Sequence, residues 1–248
     1  MSARAVDILG IAVDDITTAE TLARVEAYIG ERTPRQIATV NPEFIIEAQR
    51  NEPFRVLLSG VDLALPDGVG LLWASRILGR PLRERVAGSD MVPEIARLCA
   101  MRGYRMYLLG AAPGVAERAA EVLVRGNPGL AIAGCYAGSP QPCDEEEIVA
   151  RIVAAAPDVL FVAYGAPRQD LWIHRNLERL GVPVCMGVGG AFDFVAGVAV
   201  RAPRWMRRAG LEWLHRLWRQ PWRWRRMLAL PRFVALVIKQ RLLPGARR

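Results

Sequence analysis

Short apolar runs alternate with amphipathic stretches through the first 200 residues, and this alternation limits the chain to very few architectures. The runs cover 7–12, 36–40, 63–65, 105–109, 131–135, 159–163 and 184–188. Between them lie segments with helical spacing of apolar residues, at 18–29, 43–58, 89–102, 114–124, 145–155 and 168–180. Strands joined through helices of this length pair in parallel, because a parallel pair needs a long crossover and a hairpin does not. The expectation is an α/β domain over residues 1–200, with a mostly parallel sheet and helices on both faces.

The remainder, 201–248, is different in kind and reads as a basic, helical, Trp/Arg-rich membrane-docking appendage. It holds 14 of the 33 Lys and Arg residues and one acid, Glu212, whereas residues 1–200 carry 24 acids against 19 bases. Five of the seven tryptophans, Trp205, Trp213, Trp218, Trp222 and Trp224, sit among those arginines. Leu211, Leu214, Leu217 and Trp218 recur near helical spacing, and 227–238 is apolar but interrupted by Pro231 and Arg232. Neither stretch reaches the roughly 20 apolar residues of a membrane span. Trp at headgroup depth with snorkelling Arg suits a helix lying on an anionic bilayer. A protein partner fits less well, and nucleic acid is not expected, since no helix-turn-helix, RNA-recognition or zinc-finger pattern accompanies the basic stretch. No secretory leader is read at the start, and the four scattered cysteines suit a reducing compartment.

In an open α/β sheet, ligands bind beyond the carboxyl ends of the strands. Those positions are rich in glycine and polar residues here: Thr39-Val40-Asn41-Pro42, Pro66-Asp67-Gly68, Gly110-Ala111-Ala112-Pro113-Gly114, Gly165-Ala166-Pro167-Arg168-Gln169 and Gly187-Val188-Gly189-Gly190. The expectation is one ligand cleft built from all these loops. The Gly187–Gly189 turn is the best phosphate cradle, although Phe192 stands where a dinucleotide fingerprint has its third glycine. Asp67 has two readings of equal weight, a general base or the N-cap of a helix over 68–78. Asn41 has a similar pair of readings, because Asn followed by Pro is a good helix start. Thr39, Gln169 and Arg85 add groups suited to hydroxyl-rich and phosphorylated ligands. Two histidines, His174 and His215, read as surface or packing residues, and no Asp-x-Asp pair is present, so no metal site and no cofactor are expected.

Thr39-Val40-Asn41-Pro42, Leu65-Pro66-Asp67-Gly68, Arg85-Val86-Ala87-Gly88-Ser89-Asp90, Gly165-Ala166-Pro167-Arg168-Gln169-Asp170, Gly187–Phe192 and the run Gly210-Leu211-Glu212-Trp213-Leu214-His215-Arg216-Leu217 occur in an order and spacing that resemble the WecG/TagA/CpsF family of bacterial glycosyltransferases. The resemblance implies a Rossmann-like fold with a membrane-docking C-terminal appendage. It implies inverting, metal-independent transfer from a UDP-sugar to a polyprenyl-diphosphate-linked sugar in surface polysaccharide synthesis, at the cytoplasmic face of the membrane. Carried over residue by residue, it makes Asp67 the base. Thr39, Asn41 and Gln169 then line the sugar pocket, Arg85 lies near it, and Arg216 with Arg223 or Arg226 lies over the diphosphate. Gly70 departs from the small polar residue common at that position, and the donor stays open among UDP-N-acetylmannosamine, its uronic acid and UDP-glucose. The partners expected are that donor, the lipid-linked acceptor and an anionic bilayer, with homo-oligomerisation left open. Two other readings remain: a soluble NAD(P)-dependent oxidoreductase, and a non-enzymatic membrane or nucleic-acid adaptor using the tail alone.

Overall fold

A computed structural model describes residues 5–203, 206, 212–219 and 229–243, with the side chains of 212, 213, 216 and 219 excepted. Its first element corrects the sequence reading. Where one strand over 7–12 was expected, the chain forms an antiparallel hairpin of β1 (Ala5–Ile8) and β2 (Ile11–Asp14). Leu9 and Gly10 both take positive φ, 54° and 84°, which supplies the tight reversal. The turn was hidden because Leu9 continues the apolar run.

The remaining strands are β3 (Arg35–Val40), β4 (Leu63–Pro66), β5 (Arg105–Gly110), β6 (Ala131–Tyr136), β7 (Val159–Ala163) and β8 (Val184–Gly187). All pair in parallel, in the spatial order β4-β3-β8-β7-β5-β6. Edge strand β4 is guarded by the hairpin, where Asp14 Oδ2 accepts from the Ala64 backbone N–H at 2.8 Å. Alternate residues of each strand face opposite sides. Ile37, Leu108, Phe161 and Met186 are buried under α1 (Thr18–Glu31), α5 (Gly88–Arg102), α6 (Val115–Gly126) and α9 (Ala191–Val195). On the other face, Ala38, Val40 and Ala64 lie under α2 (Pro42–Ala48), α3 (Glu52–Gly60) and α4 (Val69–Ile77). Beside them, Leu109, Leu160 and Cys185 lie under α7 (Glu145–Ala155) and α8 (Arg168–Leu180). The doubly covered parallel sheet is the architecture expected.

Helix α3 is a second correction, because 43–58 was read as one helix. Asn51 caps a new helix by accepting from Phe54 N at 3.2 Å, and Pro53 in its first turn cannot continue the preceding one.

Two helices of the C-terminal segment are described, α10 (Glu212–Arg219) and α11 (Ala229–Leu242). Helix α11 is built into the body. Phe233 and Val237 are buried in the core over α2 and α4, each contributing about 1.5–3 kcal/mol. Gln240 ties its far end to the hairpin, accepting from Leu9 N at 3.0 Å and donating to Asp7 Oδ1 at 2.9 Å. Pro231 does not interrupt this helix, which is continuous from Ala229 to Leu242. The opposite side carries Val234, Ile238 and Leu242 to solvent. Among the described residues, no helix is long and apolar enough to cross a membrane.

Candidate active site

The carboxyl ends of four neighbouring strands, β4, β3, β8 and β7, surround a cavity of about 410 Å³. Thr39, Asn41, Asp67, Gln169 and Gly189 all line it, so five of the sequence-derived site residues meet in one place. The loop at 110–114, which the sequence reading placed in the same cleft, contributes nothing to its lining. Strand β5 lies beyond β7, so its exit is displaced from the cavity.

Asp67 follows directly on β4, whose last residue is Pro66. Its backbone N–H donates to Val40 O at 2.7 Å, which locks the exit of β4 onto that of β3. Gly68, at φ 110°, then turns the chain into α4 and is itself that helix's N-cap. The structural alternative for Asp67 therefore fails, since no side chain caps α4. Its carboxylate is instead turned to the cavity, with Oδ2 3.4 Å from the Gly88 N–H. For Asn41 the structural alternative holds, because its Oδ1 accepts from Phe44 N at 3.0 Å and Pro42 opens α2. It lines the cavity while capping the helix. The departure at Gly70 also has a steric cause. A Cβ there would stand 2.7 Å from Pro42 Cγ, so the close approach of α4 to α2 excludes a side chain.

Gln169 acts as a brace. Only 1 % exposed, it accepts through Oε1 from Gly189 N at 2.9 Å and from Gly165 N at 3.1 Å, clamping the loops after β7 and β8 together. The Gly189 N–H is thereby engaged within the protein. Thr39 adds a third stitch by donating to Gly187 O at 3.2 Å, which leaves Gly187 beneath the cavity lining. Gly187 has no room for a side chain: a Cβ would lie 2.6 Å from Gln169 Nε2 and 2.7 Å from Asp170 Oδ1. Asp170 is fully buried below this layer, and burial pushes its carboxyl up to about 7. Neither of its carboxylate oxygens has a hydrogen-bond partner among the described residues.

Arg85 lies outside the lining. It pairs with Asp90 at 3.0 Å, and the other oxygen of Asp90 holds Arg201 at 2.7 Å. Arg201 also donates to Ser89 Oγ at 3.0 Å, and Ser89 does line the cavity. The backbone of Arg216 lies in α10 but its side chain is outside the described residues, as are Arg223 and Arg226 entirely.

Sequence reasoning missed His215. Helix α10 turns this side chain inward, 7 % exposed, onto the cavity wall. Leu214 and Trp218, read from the sequence as part of a helix lying on a bilayer surface, face solvent, Trp218 at 80 % exposure. Helical spacing gave no signal for His215, because the same position reads equally as a surface or a packing residue. Among the described residues, no group of three His, Cys, Asp or Glu side chains is placed to hold a metal ion.

Comparison with known proteins adds to this geometry. Residues 6–247 match the family described as glycosyl transferase WecG/TagA/CpsF. The N-acetylglucosaminyldiphosphoundecaprenol N-acetyl-beta-D-mannosaminyltransferase of Bacillus spizizenii is 37 % identical over 212 residues, covering 86 % of this chain and 82 % of the relative. The protein of the same description from Bacillus subtilis is 36 % identical over 213 residues, with the same coverage. A third, from Staphylococcus aureus, is 29 % identical over 236 residues, covering 94 % of this chain and 92 % of its own length.

Proposed function

The chain belongs to the WecG/TagA/CpsF family of glycosyl transferases, and from that premise we propose that it moves N-acetylmannosamine from a UDP donor to N-acetylglucosamine on a polyprenyl diphosphate. Similarity to three mannosaminyltransferases supports the choice of sugars. The oxidoreductase and adaptor readings fall with the family assignment.

The observation that carries the mechanism is a carboxylate, Asp67, facing a cavity whose opposite loops are held rigid by Gln169. Asp67 takes the proton from the acceptor hydroxyl as its oxygen attacks the anomeric carbon. The bond from that carbon to the donor diphosphate breaks on the opposite side, and UDP leaves with the electron pair. Attack opposite the leaving group inverts the anomeric centre. Thr39 and Asn41 flank the sugar, and the tail arginines Arg216, Arg223 and Arg226, with Arg85 behind the cavity lining, supply positive charge for the donor diphosphate. Transfer without a metal is part of this reading, the charge of the leaving diphosphate being met by guanidinium and backbone N–H groups.

The acceptor's isoprenoid keeps it in the bilayer, so the enzyme works as a peripheral protein at the cytoplasmic surface. The outward Leu214 and Trp218 of α10, with Val234, Ile238 and Leu242 of α11, support docking through the C-terminal segment. Trp218→Glu is expected to weaken binding to anionic vesicles without changing the melting temperature, since the side chain is already in solvent.

The test of the reaction is UDP release from UDP-N-acetylmannosamine, UDP-glucose and the uronic acid donor, each with a short-chain prenyl-diphosphate N-acetylglucosamine. Acceptor-dependent release from the first is expected. Release from another donor but not the first would contradict the choice of sugar, and release from none of the three would contradict the reaction.

A further inference from the structure

Beside the catalytic cavity lies a second one, of about 610 Å³, between α2, α3 and the start of α11. It falls within the roughly 300–1,000 Å³ of small-molecule sites. The two cavities share Glu43, Phe44 and Ala166 in their linings, so they adjoin at the first turn of α2. Beyond that junction the second cavity has two kinds of wall. Ile46, Phe54 and Ala229 make an apolar side, and Glu47, Arg50 and Arg232 make a charged rim.

The charges on that rim are not equivalent. Glu47 holds Arg50 at 2.8 Å through Nε and also accepts from Asn51 Nδ2 at 3.2 Å, so this pair is satisfied within the protein. Arg232 is exposed, stands in the first turn of α11 and has no ion-pair partner among the described residues. An unpaired guanidinium beside an apolar wall suits a ligand with an anionic group next to a hydrocarbon chain. Helix α11 also carries the outward stripe of Val234, Ile238 and Leu242, so one helix joins this cavity to the surface read above as facing the bilayer.

We propose that this second cavity seats the prenyl-diphosphate portion of the acceptor, with the diphosphate at Arg232 and the first isoprene units against Ile46, Phe54 and Ala229. The acceptor sugar then enters at the junction, where Glu43 receives a hydroxyl and Asp67 reaches the attacking one. This inference rests on the reaction proposed above, and it assigns the acceptor a path from the bilayer that does not cross the donor. Phe233 and Val237 anchor α11 on the body, so the seat is preformed rather than assembled when the protein meets the membrane.

Arg232→Glu tests the seat, because the side chain is exposed and its reversal leaves the core untouched. With a water-soluble short-prenyl-diphosphate acceptor, KM for the acceptor should rise about tenfold or more. KM for the donor should stay unchanged, as should kcat/KM for an uncharged alkyl glycoside of the same sugar. Ala229→Phe, which fills the apolar side, should weaken direct binding of farnesyl diphosphate, a probe that needs no turnover. An equal loss on charged and uncharged acceptors, a change confined to donor KM, or unchanged binding of farnesyl diphosphate by both variants would overturn the proposal. Absence of UDP release by the unmodified protein would count against the reaction instead, and binding of the prenyl diphosphate would still report on the seat.

Discussion

The exits of β4 and β5 are both short glycine-bearing turns at the carboxyl edge of one sheet, yet only one of them is a site. At β4, Pro66-Asp67-Gly68 presents a carboxylate to a cavity whose walls come from β3, β7, β8 and α10. At β5, Gly110 takes φ 102°, and a Cβ there would lie 2.8 Å from the backbone carbon of Ala163. Glycine at β5 serves the contact of one strand end with the next, whereas glycine at β4 serves the direction in which an acid points. Glycine at a strand exit therefore reports a close backbone approach, and convergence of polar side chains from several strands is what makes a binding site.

Reciprocal variants give the largest contrast between these exits. Asp67→Asn should cut turnover by ~10²–10⁴-fold while leaving the melting temperature nearly unchanged, because the carboxylate does not cap α4 and an Asn oxygen can still accept from the Gly88 N–H at the start of α5. Gly110→Ala should do the reverse. Its strained backbone should cost about 1–3 kcal/mol of stability, read by denaturant unfolding, with kcat per folded molecule retained. A lost activity in Gly110→Ala without lost stability would erase the distinction.

The next effect in size belongs to the brace. Gln169→Ala leaves the Gly165 and Gly189 N–H groups without their partner, at ~1–3 kcal/mol for each donor that water does not reach. Both stability and turnover should fall, since the same bonds hold the cavity walls. A variant that lost stability alone would make Gln169 a packing residue like Gly110.

The smallest effect lies beneath the cavity floor. Asp170 has its carboxyl raised from 3.8 to about 7 by burial, so the folded protein binds this proton more tightly than the unfolded chain. Stability from this group is therefore full below pH ~4 and declines as pH rises toward ~7. Asp170→Asn should remove that decline and gain about 1 kcal/mol at pH 8, well under the shift's ceiling because the amide must itself find partners. Parallel stability–pH curves for the two proteins would contradict the assignment.

Most of the fold was legible because the inner parallel strands are covered on both faces, which leaves an uninterrupted apolar run bounded by turn residues. The run at 159–163 and the helix at 168–180 coincide with β7 and α8 for that reason. Where an apolar residue occupied the turn, as Leu9 does, the hairpin was invisible. Where a helix start lay inside a helical pattern, as Asn51 does, two helices looked like one. Thr39, Asn41, Asp67, Gln169 and Gly189 were found because strand ends gather by topology alone. His215 was not, because its place depends on how α10 is set against the cavity wall, which periodicity within the tail does not encode. The inward turn of the Gln169 amide is likewise a property of three-dimensional packing.

Hydrogen–deuterium exchange with and without saturating UDP-sugar compares the two exits in one measurement. The account predicts slowed exchange at 39–43, 67–70, 165–169 and 188–200, with the loop at 110–114 unchanged. Protection of 110–114 with no change at 67–70 would place the ligand at the other exit and contradict the account.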